Sequence, residues 1–236
     1  ATVRVAFWTI VASSREMLLD LVDKHRDITA FERASTLAWT QAQVKLRHIG
    51  ITPGEAGLFQ RLAGHLIHAT QALRPSSESI VRGAGSQSSL WPLGISGDLP
   101  IVLLRIADYE NLDLVHQLLQ AHEYWRMKLL AVDLVILNER ASSYVQDLQI
   151  GIETLVRTSQ ARLESDIGRV SGPSGRVFVL RADLMSSETR ALLLSISRAV
   201  LVGQRGHLSV QLDRVPDTRI ASAPPPKRVA SKVEPA

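Results

Sequence analysis

The chain contains no cysteine, which excludes disulfides, thiolate metal ligands and a cysteine nucleophile. Aromatic residues are only 5% of the 236 positions, while hydrophobic residues are 45%, so any core is built mainly from aliphatic side chains. Long apolar runs are also missing. Stretches such as Leu134 to Leu137 and Ala191 to Leu194 fall far below the roughly 18 residues of a membrane-spanning helix. Excess charge of one sign is small, with 27 basic against 23 acidic residues and a net charge of +4. The arginines alternate with acids along predicted helices, and Lys227, Arg228 and Lys232 lie in a proline-rich tail. No basic stripe results, which argues against a nucleic-acid partner. The start at Ala1 carries no basic-then-apolar leader pattern, and the expectation is a piece of something longer.

Residues 3–11 alternate with period two and predict a strand, the closing strand of a sheet not otherwise present, within a first unit of 1–12. A helical segment is expected over 13–71. Ser13 and Glu16 have capping-box spacing, Thr29 and Glu32 open a second helix that Gly50 stops, and Thr52, Pro53 and Glu55 open a third. Residues 72–99, rich in Gly, Pro and Ser, read as a long structureless loop. From 100 to 214 short apolar strands alternate with helices. The strands are Ile101 to Ile106, Val132 to Leu137, Val177 to Leu180 and His207 to Leu212, and the helices are 111–130, 142–165 and 187–201. The fold class is therefore α/β: a strand remnant and helical segment, then a mainly parallel four-stranded sheet with crossover helices. Residues 215–236 read as a Pro/Ala-rich linker or tail.

Parallel sheets bind ligands beyond the carboxyl ends of their strands. Those ends carry Arg105 and Asp108 with Tyr109 nearby, Asn138, Glu139 and Arg140, Arg181 and Asp183, and Asp213 and Arg214. Carboxylates, an amide and guanidinium groups suit sugar hydroxyls, which both donate and accept. The competing reading is that these side chains cap helices and pair with one another. Trp91 and Asp98, in the loop before the first strand, offer a stacking face and a hydroxyl acceptor by the same chemistry. Ser96 is no nucleophile elbow, because a strand follows it and Asp98 stands where a glycine is needed. No G-K-[ST] phosphate loop exists, and His65 and His68 lack converging ligands, so neither a cofactor nor a metal is expected.

Several blocks occur together: Arg4 to Val11 with Ser13 to Glu16, Ala38 to Gln43, Leu58 to Leu62, Leu90 to Pro92 with Gly94 to Pro100, Ala121 to Trp125, and Val132 to Glu139. In series they resemble the cyclic β-1,2-glucan synthase family, from residue 3 to about 214. The resemblance implies very large inner-membrane enzymes that end in a phosphorylase-like region of glycoside hydrolase family 94. It implies that this chain falls between two β-sandwiches and ahead of the catalytic barrel. It also implies β-1,2-glucan and neighbouring domains of the parent as partners, and a soluble, cytoplasmic-side location. It transfers no catalytic residue, because the barrel's G-F-R-D-Q-L-Q-D signature is absent from these residues. Three readings stay open: a non-catalytic connecting domain, a glycosidase-type site built on Glu139, Asp183 and Asp108, and a pure packing module.

Overall fold

The computed structural model describes residues 5, 7–140, 147–165 and 175–215. β-Branched and leucine side chains fill β1 (Ile101–Ile106), β2 (Asp133–Asn138), β3 (Val177–Arg181) and β4 (Ala199–Val202), which pair in parallel in the order β3-β2-β1-β4. Strands buried on both faces need apolar residues at nearly every position, and β1 and β2 supply them. Alternation divides the side chains between two cores. Val102, Leu104, Ile106, Leu134, Ile136 and Leu201 face one layer, and Leu103, Val135, Leu137 and Val200 face the other.

The first layer holds α3 (Pro53–Ile67), α5 (Leu112–Met127), α6 (Asp147–Ser165) and α8 (Leu208–Asp213). The second holds α7 (Ser187–Ile196) and the turn Gln87–Leu93, with α4 (Ser77–Arg82) lying on α7. Right-handed crossovers account for the division. The chain moves outward from β1 through β2 to β3 with α5 and α6 on one face, then returns to β4 with α7 on the other.

The capping box predicted for α3 is present in full: Glu55 N donates to Thr52 Oγ1 at 3.2 Å and Thr52 N donates to Glu55 Oε2 at 2.7 Å. Phe59, Leu62 and Leu66 of α3 enter the same core as the sheet. Trp125 Nε1 of α5 donates to the Phe59 carbonyl at 2.9 Å, and Gln60 Nε2 donates to Tyr124 Oη at 2.7 Å. By contrast, α1 (Arg15–His25) buries no side chain, and α2 (Ile28–His48) leaves Leu37, Trp39 and Val44 exposed.

Five sequence expectations are corrected. Ser14, not Ser13, caps α1, because its hydroxyl reaches Met17 N at 3.2 Å. Asp27, not Thr29, caps α2. The described residues of the predicted strand over 3–11 form no strand. Residues 72–99 are not structureless, since they contain α4 and the 3₁₀ turn Gln87–Leu93. The fourth strand is Ala199–Val202, and the segment expected as that strand, His207 to Leu212, is helical. The start of the helix expected at 142, most of the break at 168–175 and the tail from 216 lie outside the described residues.

Close approach of α4 to α7 requires Gly83. A Cβ there would overlap the Ala191 carbonyl and stand 2.7 Å from Ser195 Cβ, while Ser195 Oγ donates to Gly83 O at 2.8 Å. Gly83→Ala should therefore destabilise the protein by about 1–3 kcal/mol through overpacking. A urea unfolding midpoint equal to that of the native chain would show that the two helices can separate without cost.

Candidate functional site at the carboxyl edge of the sheet

The residues that end β1, β2 and β3 do not converge as free groups. Arg105 follows the register of Leu103 and Glu139 that of Leu137, so both lie toward the α7 layer, where Arg105 Nε donates to Glu139 Oε1 at 2.9 Å. Asn138 turns the other way and donates to Gln149 Oε1 of α6 at 2.9 Å, while accepting from Arg140 N. Arg140 in turn holds Asp147 at 2.7 Å. Arg181 grips Asp183 with two nitrogens, Nε at 3.1 Å and Nη2 at 2.6 Å. Those donated hydrogen bonds, with the guanidinium charge, keep the Asp183 carboxyl below the usual carboxylate range. Asp108 accepts from Gln204 Nε2 at 3.1 Å.

Trp91 and Asp98 stand elsewhere. Asp98 precedes β1 by three residues and acts electrostatically on Asp133, the first residue of β2, so it lies at the amino edge. A strand of this length rises about 3.3 Å per residue, which separates the two edges by roughly 17–20 Å. Asp98 accepts from Gln87 Nε2 at 3.1 Å, and Trp91 is 63% exposed. His65 shares a 2.7 Å hydrogen bond with Thr70 Oγ1. Among the described residues, no three acidic or imidazole side chains are grouped to hold a metal ion, and no helix is long and apolar enough to cross a membrane.

In the order β3-β2-β1-β4 the strand β4 lies at the edge of the sheet, and the segment before α4 packs against it. A crevice of about 530 Å³ opens there. Arg105 from β1, Arg205 from the turn after β4, Arg214 capping α8 and Arg74 from the segment before α4 all line it, together with Ser76, Ser79, Val200, Val202 and Leu194. One side chain shapes this corner. Gln211 of α8 accepts from Val202 N at 3.1 Å and donates to Val202 O at 3.0 Å and Gly206 O at 2.7 Å. It thereby clamps β4, the 203–206 turn and α8 together.

Arg105 is legible in the sequence as a strand-end group. Arg214 follows a segment that reads as a strand and is in fact α8, and Arg205 escapes notice together with β4 itself. Arg74 carries no local pattern that marks it, and only the packing of its segment on β4 brings it to the crevice.

No protein-family model matches the chain. It is 43% identical over 212 residues to the cyclic beta-(1,2)-glucan synthase NdvB of Rhizobium meliloti (strain 1021), a match that covers 90% of this chain and 7% of that protein. The chain thus spans a small part of the length of the curated relative it matches.

Proposed function

The chain belongs to the cyclic β-(1,2)-glucan synthase family as the counterpart of one segment, and on that premise we propose that it is a connecting α/β module of such an enzyme. It takes part in glucan synthesis without performing the chemistry. One observation carries this reading: the strand-end carboxylates are engaged as partners of neighbouring side chains. A glycosidase or phosphorylase acid needs a carboxyl whose pKa is raised so that it holds a proton to give. Asp183 is shifted the opposite way by Arg181. The glycosidase-type reading built on Glu139, Asp183 and Asp108 is thereby disfavoured.

The same reading gives the outer helices a role. α1 with no buried side chain, and Leu37, Trp39 and Val44 exposed on α2, suit packing against neighbouring domains of a larger synthase. Trp91 is the group best placed to touch glucan, since an open indole face stacks on sugar C–H bonds. Within the parent, the module would occupy a soluble portion on the cytoplasmic side, in the phosphorylase-like region.

The test has two parts. The purified chain should consume neither UDP-glucose nor β-1,2-glucan with phosphate, and release of glucose 1-phosphate would overturn the non-catalytic role. In a complete synthase carrying this segment, Asp183→Asn and Asp108→Asn should leave the rate of glucan formation within about twofold. A true acid–base residue would cost about a hundredfold or more.

A further inference from the structure

We propose that the crevice beside the edge strand β4 binds the phosphate group of a small phosphorylated molecule. This goes beyond the connecting role above and does not depend on it.

Four separate elements each deliver one arginine to a single opening, and no acidic side chain of the described residues lines it. Elsewhere on the molecule both situations occur, and Arg47, Arg126 and Arg198, for example, make no ion pair among the described residues. Arg61, Arg82, Arg140 and Arg181 each meet a carboxylate. In the crevice, Arg105 uses its Nε on Glu139, while Arg74, Arg205 and Arg214 make no ion pair among the described residues. Guanidinium groups stay charged in any protein environment, so their gathering is unfavourable unless an anion joins them.

Arg74 also leaves one donor unaccounted for among the described residues. Arg74 Nε is buried without a hydrogen-bond partner, and a buried N–H donor without an acceptor is rare in folded proteins. That nitrogen has almost no accessible surface, so what bears on an oxyanion is the place of Arg74 in the lining and not this atom. Planar guanidinium forks match phosphate oxygens in pairs, while the Ser76 and Ser79 hydroxyls in the lining share a 2.9 Å hydrogen bond with each other.

Size and lining refine the class. About 530 Å³ exceeds the needs of a phosphate group alone and falls within the range of small-molecule sites. Val200, Val202 and Leu194 form an apolar wall, against which the carbon body of the ligand rests.

The experiment is calorimetric titration of the purified 236-residue chain with inorganic phosphate, a hexose monophosphate and a nucleoside diphosphate, at low and high salt. Binding that weakens with salt is expected. Arg205→Gln and Arg214→Gln remove exposed side chains, so the thermal midpoint should hold while each substitution lowers affinity about tenfold to a hundredfold, the worth of one charged hydrogen bond. Arg140→Gln, paired with Asp147 instead, should leave affinity unchanged. Equal affinity for phosphate and both esters identifies the free anion as the ligand, and tighter binding of one ester identifies its carbon body as part of the recognition. Absence of binding by all three at about 10 mM, or binding that survives both Arg205→Gln and Arg214→Gln, overturns the proposal.

Discussion

Phe59→Ala is expected to remove about 3–5 kcal/mol of folding stability, a large share of the roughly 5–15 kcal/mol typical of a native domain. The ring is fully buried and shares its core with β1, β2 and α5. It stands 6.1 Å from the Tyr124 ring at an angle of 52°, and its own carbonyl takes the Trp125 indole proton. Truncation would leave a cavity walled by α3, α5 and the sheet, which cannot collapse without moving one of them. The measurement is guanidinium unfolding followed by both tryptophan fluorescence and far-ultraviolet circular dichroism. Coincident transitions, displaced together, are the expected result. A loss below about 1 kcal/mol would mean that α3 is an appendage and that the sheet is stable without it.

Acid should act on the protein through His122. Its imidazole is 3% exposed, donates Nε2–H to the Val132 carbonyl at 3.0 Å, and has its pKa pushed down to about 4, first by burial and then by the nearby Arg126 charge. The unfolded chain binds that proton near pH 6.5 and the folded chain only near pH 4. Stability is therefore intact above pH 6.5, declines as pH falls through the interval, and levels off below about 4, with a total loss of about 3 kcal/mol. The Asp133 carboxyl, raised by its burial, works in the opposite sense. His122→Gln keeps a donor for Val132 and removes the titration. A thermal midpoint that falls from about pH 7.5 to about pH 5 in the native chain, with a flatter profile in the variant, is the expected pair of curves. Parallel curves would dismiss His122 as the cause.

The sequence disclosed the elements whose signals are local. Thr52, Pro53 and Glu55 sit within one turn and specify the start of α3, and the unbroken Ile101 to Leu104 run marks β1 as a strand buried on both faces. It hid those whose identity depends on partners. Ala199–Val202 continues the apolar series of α7, and only the extended backbone at Ser197 separates helix from strand. In the segment 208–212, Leu208, Val210 and Leu212 alternate like a strand, but the buried side chains are Leu208, Gln211 and Leu212, at helical spacing. Val210 is left exposed, so the period of two is an accident of composition. The carboxyl-edge groups are visible as types, and their pairing is not. Whether Glu139 meets Arg105 or a sugar depends on the parallel register of β1 with β2, which places them one strand apart on the same face. The arginine crevice depends on the meeting of four separate elements, and no single stretch of sequence contains it.

The clamp made by Gln211 has a consequence for time scales. Its three hydrogen bonds fix the turn carrying Arg205 to the helix that Arg214 ends, and they form when the chain folds. Little backbone freedom at this corner is left to be lost when a guest arrives. Encounter should then be set by diffusion and charge attraction, with an observed rate that rises in proportion to ligand concentration and shows no slower plateau of rearrangement.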